Sequence, residues 1–435
     1  MKPLLPAILF AVSLDAAFAS GVRDDETKVG SGQAYASAVA ISDLMENGDI
    51  VRLNQVGAKA MPADIAPLGK LPFKMKQVKR PVFKSNRLTI SDGDKDSAGK
   101  VTKALNAKIA ELSAMGGGRL IGTMSRPPPI ADSSFYRPKS FAPINCKNVL
   151  VEGVTFERSV LWNINPIYCD NVIIRGVTVN SVGVPSGDGI DISSCKNVLI
   201  EYSTLSCGDD CFTLKSGRAE DGLRVGRPTE NVVIRYCLAE KGHGGITCGS
   251  ETAAGIKNVY LHHCVFNGTR TGFRFKTRRN RGGGIWDIAY DNVRLIDVAE
   301  AFTWDLLGSR MYMGELAQRN PPLAVTALTP VVKDITIRNF IIESADRMMS
   351  MNTIPEVPTT GVLLENGVVR TNRIFKTLND VGSLTLRNIT IQATDNNINI
   401  DNSRGITFDN VTFYVPGDSL RYNIKGDKAE KPVLK

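Results

Sequence analysis

Short segments rich in β-branched residues recur from about residue 144 onward, and this repeat limits the fold more than any other feature. The clearest copies are KNVLVEGVTF, DNVIIRGVTV, KNVLIEYSTL, ENVVIRYCLA, KNVYLHHCVF and DNVRLIDVAE. Weaker copies follow as KDITIRNFII, SLTLRNITI and RGITFDNVTF. The aligned asparagines, which recur at similar intervals, are Asn148, Asn171, Asn197, Asn231, Asn258 and Asn292. A repeat of this length with one strand-like unit per copy is typical of a solenoid.

The length differences between the copies fall outside the strand-like segment, which places the insertions in loops. The sequence therefore predicts an all-β fold, a single-stranded right-handed parallel β-helix whose coils stack about 4.8 Å apart. Before the repeats, apolar residues recur at helical spacing over about 98–115, and three glycines at 116–118 end the pattern. We expect a short N-terminal capping helix there.

The first residues carry the pattern of an exported protein. Lys2 precedes an apolar stretch over 4–14, and Ala17-Phe18-Ala19 gives a small-x-small pattern before Ser20. The stretch is too short to span a bilayer, so we predict a signal peptide over 1–19, cleavage near Ala19/Ser20 and a secreted or periplasmic protein. We expect residues 20–85 to form an N-terminal extension of uncertain structure and residues 86–435 to form the parallel β-helix domain.

The charge of the chain indicates an anionic partner. Lysine and arginine number 53 against 44 aspartates and glutamates, which gives a net charge of +9. Such an excess attracts nucleic acid, an acidic polysaccharide or a membrane surface. Export makes nucleic acid a poor explanation, and no later apolar stretch is long enough to span a membrane. We expect no nucleic-acid partner, no membrane span and a monomer. The charge alone does not identify the anionic partner.

The eight cysteines follow the repeat. Cys146, Cys169 and Cys195 each precede an aligned asparagine by two residues, and Cys237 and Cys264 each follow one by six. Equal offsets stack on neighbouring coils, so we expect inward ladders of buried free thiols. One or two disulfides are the alternative in an oxidising compartment. A zinc site is not expected, because no Cys-x-x-Cys or His pair has ligand spacing.

The same register brings polar residues of four successive coils into one zone. The residues that lie at similar offsets after their aligned asparagines, beyond the strand-like segment, are Asp188, Asp209, His243, Arg274 and Lys276. Adjacent Asp209 and Asp210 repel each other, which raises the pKa of one of them. A carboxyl of raised pKa beside an ionised carboxylate is what glycoside hydrolysis requires. A solvated turn or a calcium site is the alternative.

Neighbouring glycine and aromatic residues indicate the direction in which the histidine and the two cations of the motifs point. Gly242 and Gly244 flank His243 and leave its imidazole accessible. Arg274 and Lys276 alternate with two phenylalanines, so both cations share one face of a strand and could hold a substrate carboxylate. We expect a solvated basic loop at Arg278, Arg279 and Arg281. We expect a structural or surface role for His262 and His263.

In this order, the motifs resemble glycoside hydrolase family 28, the polygalacturonase and rhamnogalacturonan-hydrolase family. The family motifs N-T-D or N-G-D, G-D-D, G-H-G and R-x-K stand here as the segments 186–188, 208–210, 242–244 and 274–276. The resemblance covers roughly residues 70–415 and is densest over 144–300. It implies a secreted inverting hydrolase of α-1,4-galacturonosyl or related rhamnogalacturonan linkages in pectin.

The resemblance also implies roles for single residues. Asp209 would be the general acid, and Asp188 and Asp210 would activate the attacking water. His243 would maintain the protonation of the acid. The substrate-binding residues would be Arg274, Lys276, Ser186 and Gly244. The resemblance implies no metal and no cofactor.

Two departures from the family pattern keep alternatives open. Ser186 replaces the asparagine of the first motif. The segments SDGDKDSAGK and GGGRLIGTMSRPPP stand where the family has a glycine-rich segment and several strands, so the early coils look shortened. The alternatives are a non-catalytic pectin-binding β-helix and a calcium-dependent pectate lyase. The sequence leaves open whether the action is endo or exo, and whether the substrate is galacturonan or rhamnogalacturonan.

Overall fold

The computed structural model describes residues 41–46, 49–75, 78–82, 87–97, 102–115, 119–123, 139–157, 159 and 161–435. The predicted signal peptide over 1–19 lies outside these residues. All the candidate site residues lie within them.

Strands account for most of the regular structure in the described residues. The strands are β1 (Arg87–Ser91), β2 (Arg119–Thr123), β3 (Lys147–Glu152), β4 (Thr155–Glu157), β5 (Asp170–Arg175), β6 (Thr178–Asn180), β7 (Ile190–Ser193), β8 (Lys196–Glu201), β9 (Thr204–Ser206), β10 (Phe212–Lys215), β11 (Thr229–Arg235), β12 (Leu238–Cys248), β13 (Ile256–Asn267), β14 (Thr269–Lys276), β15 (Gly284–Ile296), β16 (Val298–Asp305), β17 (Val331–Ile342), β18 (Ala345–Asn352), β19 (Thr360–Asn379), β20 (Leu384–Asp395), β21 (Asn397–Asp401), β22 (Ile406–Tyr414), β23 (Arg421–Lys425) and β24 (Val433–Leu434). The helices are α1 (Thr102–Ala114), α2 (Ala219–Val225) and α3 (Arg310–Met313), with a helical turn at 41–46. Short 3₁₀ helices lie at Leu53–Gln55, Ala58–Ala60, Asp92–Asp94, Gly314–Ala317 and Pro416–Asp418.

Equivalent strands of successive repeats pair in parallel. One ladder runs through β3, β5, β8, β11, β13, β15, β17, β19, β20, β22 and β24. A second runs through β4, β6, β9, β12, β14, β16, β18, β19, β21 and β23. β7 and β10 join the second ladder at β12. The all-β, strand-rich class is therefore confirmed, with repeats that stack as the register predicts.

The aligned asparagines form hydrogen-bonded ladders. Asn148 and Asn171 have φ of 60° and 56°, in the left-handed region that asparagine tolerates better than most residues. The Asn171 amide donates to Asn148 Oδ1 at 2.8 Å, and the Asn258 amide donates to Asn231 Oδ1 at 3.1 Å. One residue type thus supplies the backbone bend and a bond to the next coil. These two properties suit asparagine to the aligned position in the six clearest copies of the repeat.

The core is a column of apolar side chains inside the stacked strands. The ring centroids of Phe275 and Trp304 lie 4.7 Å apart in a stacked pair, and both side chains are fully buried. All eight cysteines are free, and seven of them are buried, Cys146 being half-buried. The expectation of buried thiols is therefore confirmed, and the disulfide alternative is wrong.

The described residues of 41–82, here named the N-terminal strap, lie along the outside of the coils. The Val51 N–H donates to Asn292 in β15, and the Gly57 N–H donates to the Tyr236 carbonyl after β11. Arg80 forms a 2.6 Å ion pair with Glu152 in β3. The strap thus lies beside a later coil at one end and beside the first coil at the other. Between these ends it contacts strands of the first ladder and the turns that follow them.

The predicted helix at about 98–115 is present as α1, which contacts β1 and β2. β1 and β2 form a separate two-stranded parallel sheet. The capping role of α1 stays a prediction. Across the described segments, no helix has both the length and the apolar character needed to cross a membrane.

Candidate active site

Sheet register brings the acidic motifs and the histidine motif onto neighbouring coils. Asp188, Asp210 and Gly244 each lie two residues before a core residue of β7, β10 and β12. Those core residues are direct partners in the sheet. The Gly189 N–H donates to the Asp210 carbonyl at 3.0 Å, which fixes the two acidic turns on adjacent coils. The predicted convergence of the motifs in one zone is therefore present.

A second row lies on the outer face of the same strands. Asp191, Thr213, Thr247 and Arg274 are successive partners across β7, β10, β12 and β14. Because neighbouring parallel strands are about 4.8 Å apart, this row places Arg274 within a few coils of the acidic turns. The R-x-K motif thus lies on the same surface as the carboxylates.

His243 and Asp209 form the most exposed pair of the site. His243 Nδ1 lies 3.2 Å from Asp209 Oδ1, and the side chains are 54% and 28% exposed. The His243 backbone N–H also donates to the Asp209 carbonyl at 2.9 Å. The backbone bond holds the two residues together while both side chains stay within reach of a ligand.

The cations flank the second aspartate of the pair. Arg274 Nη1 lies 3.5 Å from Asp210 Oδ1, and Arg274 Nη2 lies 4.0 Å from Asp305 Oδ2. Burial lowers the pKa of Lys276, and the negative charge of Asp210 acts in the opposite direction. Phe273 and Phe275 are fully buried, which confirms that the two cations share the outward face.

The carboxyls of Asp188 and Asp191 are both buried. Burial raises the pKa of Asp188 to about 10, reinforced by the charge of Asp191. Burial also raises the pKa of Asp191 to about 7, against the opposing charge of Lys215. The structure thus gives a raised pKa to the carboxyl of the first acidic motif, Asp188.

Several buried oxygens of the site make no hydrogen bond within the described part of the chain. They are Asp188 Oδ1, Asp191 Oδ1 and Oδ2, Asp210 Oδ1, Thr213 Oγ1 and Thr247 Oγ1. A buried polar atom without a partner costs about 1–3 kcal/mol. Such a concentration on one surface is the arrangement expected where water or a ligand supplies the missing bonds.

Gly244 and Ser186 hold different positions at the site. A Cβ on Gly244 would lie 2.7 Å from Asp210 Oδ1 and 2.3 Å from Thr247 Oγ1, so only glycine leaves room for both. Ser186 has φ of 55° in the turn before Asp188. Asparagine adopts this conformation more readily than serine, which is a local reason for the asparagine of the family motif.

An open groove of about 280 Å³ continues from the site across the later coils. It is lined by His243, Arg270, Thr271, Arg274, Glu300, Thr303, Trp304, Asp305, Ser350, Asn352 and Lys376. The lining is polar and charged, which suits a hydrophilic chain molecule more than an apolar ligand. The groove gives an extended substrate room beyond His243 and Arg274.

The expectation of a solvated basic loop is wrong for two of its three arginines. Arg279 is 6% exposed, and its Nε and Nη2 atoms lie 2.6 and 2.9 Å from the Glu356 carboxylate. Arg278 is 9% exposed and donates to the Asp305 carbonyl at 2.7 Å. Both bind groups of the following coils, which a charge pattern cannot show. Arg281 is half-buried.

The expected structural role of the histidine pair agrees with its packing. His262 is 8% exposed, lies in β13 and stacks on the Tyr260 ring at 4.7 Å. Its Nδ1 lies 2.9 Å from that of His263. This pair belongs to the first ladder, away from the acidic turns.

The sequence analysis did not identify Lys215 and Trp162 as residues of the site. Lys215 Nζ lies 3.5 Å from Asp191 Oδ1 and 4.7 Å from the Trp162 ring centroid. The register carried a signal for Lys215, because it follows Asn197 at the same offset at which Lys276 follows Asn258. Trp162 belongs to no motif that the sequence pattern marks.

Among the described residues, no group of three or more His, Cys, Asp or Glu side chains could hold a metal ion. This observation concerns only the side chains that could bind a metal ion, and it does not bear on the reaction. The expectation of a metal-free and cofactor-free reaction stays a prediction.

The comparison with known proteins matches the part of the chain that carries these residues. Residues 130–305 match the model of the glycosyl hydrolases family 28. The chain is 30% identical over 221 residues to a probable polygalacturonase of Vitis vinifera, covering 50% of this chain and 43% of that protein. It is 37% identical over 120 residues to an endo-polygalacturonase of Pectobacterium parmentieri, covering 27% of each. The chain therefore spans less than half the length of these two relatives.

Among solved structures, the chain resembles a hyperthermoactive exopolygalacturonase from Thermotoga maritima. The TM-score is 0.54 at 27% identity, and the match covers 67% of this chain and 61% of that one. The shared architecture therefore extends over about two thirds of this chain.

Proposed function

We propose that this chain, whose residues 130–305 match the model of glycosyl hydrolases family 28, is an inverting glycoside hydrolase of pectin. Its substrate would be α-1,4-linked galacturonan or a related rhamnogalacturonan. The repeats that carry the site would form a single-stranded right-handed parallel β-helix. One observation carries the proposal: an exposed His243–Asp209 pair lies beside buried carboxyls and an arginine on adjacent coils.

Asp209 would donate the proton to the leaving oxygen. Its carboxyl is partly exposed and lies 3.2 Å from His243 Nδ1. A neighbouring imidazole can exchange a proton with this carboxyl between turnovers and orient it toward the substrate. We therefore assign Asp209 the acid role and His243 the role of keeping it in the correct protonation state.

Asp210 and Asp188 would act on the attacking water from the other side. With its pKa near 10, Asp188 keeps its proton at neutral pH, so it would hold the water by a hydrogen bond. Asp210, with Arg274 at 3.5 Å, would take the proton from the water. In inverting enzymes the acid and base carboxyls lie roughly 6.5–9.5 Å apart, which leaves room for the water.

Arg274 and Lys276 would bind the carboxylate of a galacturonate unit. Both project outward from β14, and an arginine can bind a carboxylate with two parallel hydrogen bonds. Gly244 would leave the space that keeps Asp210 in place. Ser186 would take the substrate-binding position of the first motif in place of asparagine.

The remaining expectations join this proposal. The protein would be exported by a signal peptide over 1–19 and would work as a monomer outside the cytoplasm. The catalytic domain would occupy 86–435, with α1 as a cap of its first coils. The net charge of +9 supports a polyanionic sugar chain as the partner.

The test is the release of new reducing ends from polygalacturonate and from rhamnogalacturonan, with products resolved by chain length. We expect hydrolysis by the wild type in the presence of a chelator. We expect a loss of about 10³- to 10⁴-fold in kcat for Asp209→Asn, which removes the acid, with an unchanged melting temperature. Retained activity in Asp209→Asn would refute the acid assignment.

Two other outcomes would support the alternatives. Ultraviolet-absorbing unsaturated products that disappear with a chelator would indicate a calcium-dependent lyase. Binding of oligogalacturonides without any product over a long incubation would indicate a non-catalytic pectin-binding protein.

A further inference from the structure

Two lysines from different parts of the chain meet at one tryptophan beside the acidic turns. Lys139 Nζ lies 4.5 Å from the Trp162 ring centroid, and Lys215 Nζ lies 4.7 Å from it. An ammonium this close to an aromatic ring is held by cation–π attraction. The ring therefore gathers two positive charges in a small volume.

The two ammonium groups keep bonding capacity for a further anion. Lys139 Nζ donates to Asn165 Oδ1 at 2.6 Å, which is a neutral acceptor. Lys215 Nζ lies 3.5 Å from Asp191 Oδ1 and 3.5 Å from Glu251 Oε2, longer than a normal charged hydrogen bond. Each ammonium has three N–H donors, so these contacts leave donors for a ligand.

The charges in this cluster also favour an anionic ligand. Burial lowers the pKa of Lys139, Asp191 opposes that change, and the charge of Lys215 lowers the pKa further. An anion placed between the two ammonium groups would relieve their repulsion. Lys215 has two carboxylates beside it, those of Asp191 and Glu251, whereas Lys139 has none within ion-pair distance among the described residues.

The cluster lies on the opposite side of the acidic turns from Arg274. Trp162 and Asp188 each lie two residues before isoleucines that are bridge partners, so Trp162 is one coil before Asp188. Asp191, beside Lys215, is three strand spacings from Arg274 in the row through Thr213 and Thr247. At about 4.8 Å per spacing, Asp191 and Arg274 are roughly 14 Å apart along this row.

We propose that Lys139, Lys215 and Trp162 form a second carboxylate-binding site, which holds a galacturonate on the other side of the scissile bond from Arg274 and Lys276. This inference rests on the proposed function and narrows its substrate. Galacturonan presents a carboxylate at every unit, so both cationic positions are filled wherever the chain lies. In a rhamnogalacturonan backbone neutral rhamnose alternates with galacturonate, so the site favours galacturonan.

The test compares Lys139→Met with Lys147→Met, which removes the same charge from an exposed lysine on β3, outside the groove. We expect Lys139→Met to raise KM for polygalacturonate about tenfold with kcat within about twofold, because a ground-state binding contact is lost. Lys139→Arg should restore most of the affinity. On carboxyl-reduced polygalacturonate, Lys139→Met and the wild type should have the same kcat/KM.

Equal effects of Lys139→Met and Lys147→Met, or an equal loss on both polymers, would overturn the second site. A direct binding measurement separates this failure from that of the proposed function. The double variant Asp209→Asn/Lys139→Met should bind oligogalacturonide about tenfold more weakly than Asp209→Asn does, even if no catalysis is seen. Binding that does not change between these two proteins would refute the site, whatever the wild type hydrolyses.

Discussion

Two clusters of buried charge lie on the same coils and differ in how completely they are paired. In the first, at the strap, Glu201 lies between Arg175 and Arg235, with closest N···O distances of 2.8 and 2.7 Å. The remaining arginine N–H groups donate to strap carbonyls, such as Pro62 at 2.7 Å and Ala66 at 2.6 Å. In the second, at the acidic turns, buried carboxylate oxygens of Asp188, Asp191 and Asp210 have no hydrogen-bond partner within the described residues.

The difference shows what each cluster does. A buried charge is tolerated when its partners are close and its remaining donors are satisfied, and the strap cluster meets both conditions. At the acidic turns the fold leaves carboxyl oxygens without partners among the described residues, and burial, reinforced by the charge of Asp191, raises the pKa of Asp188 to about 10. We infer that the strap cluster fastens the N-terminal segment to the coils, whereas the acidic turns give up stability in order to bind and react.

The largest expected effect is on the strap cluster. Glu201→Gln would leave the buried Arg235 without its carboxylate partner and Arg175 with only the partly exposed Glu152. It should lower the free energy of unfolding by about 3–5 kcal/mol. The kcat of the folded fraction should not change, because the cluster lies away from the acidic turns. Urea unfolding and single-temperature kinetics measure the two quantities.

Glu230→Gln is the matched control for this change. Glu230 pairs with Lys196 at 2.6 Å and Lys257 at 3.2 Å, but these lysine side chains are 39% and 33% exposed. We expect a loss of about 1 kcal/mol or less for this more exposed pair. Equal losses in the two variants would contradict the contrast between the clusters.

A smaller effect is expected where packing positions the base. Gly244→Ala would place a Cβ 2.7 Å from Asp210 Oδ1, so the carboxylate must move. A displacement of this kind should lower kcat about 10²-fold, because catalysis depends on position at the scale of about 1 Å. Steady-state kinetics on polygalacturonate measure the loss.

Gly93→Ala is the control, since an added Cβ there meets only Ser91 Oγ, at 3.7 Å. It should leave kcat and the melting temperature unchanged. Full activity in Gly244→Ala would mean that the position of Asp210 does not limit the reaction.

The smallest expected effect is a gain of stability on removal of a site carboxyl. Asp188 titrates near 3.9 when unfolded and near 10 when folded, so the folded state binds more protons in that window. Its contribution is complete below about pH 4 and is lost as the pH rises toward 10. Asp188→Asn should therefore be more stable than the wild type at pH 8, on the order of 1–3 kcal/mol, with little difference at pH 4.

Thermal unfolding at both pH values tests this sign. Asp427→Asn, at an exposed aspartate, serves as the control and should follow the wild type. If Asp188→Asn were more stable than the wild type by the same amount at pH 4 and at pH 8, the buried charge would not be the cause.

The ladders were predictable because stacking turns equal offsets in the sequence into neighbours in space. The asparagine repeat fixed the register, and the offsets of Asp209 and His243 then located them on neighbouring coils. The alternation of Arg274 with its flanking phenylalanines fixed the direction of the cations. All these signals are periodic, and periodicity is what sequence alone can read.

The strap and the lysine cluster were not predictable by the same means. Carbonyl groups of the strap accept from Arg175 and Arg235, and a backbone acceptor leaves no mark on residue type. Arg279 looked like part of a solvated loop because its partner, Glu356, lies 77 residues further along the chain. Lys139 precedes the first copy of the repeat, so no offset relates it to the later coils.

The central claim is that the acidic turns perform inverting hydrolysis of galacturonan. The most direct measurement is proton NMR of the first product formed from polygalacturonate by the wild type. Inversion at an α-linkage predicts that the new reducing end appears first as the β-anomer and then mutarotates. A new end that appears first as the α-anomer, or an unsaturated product, would contradict the account.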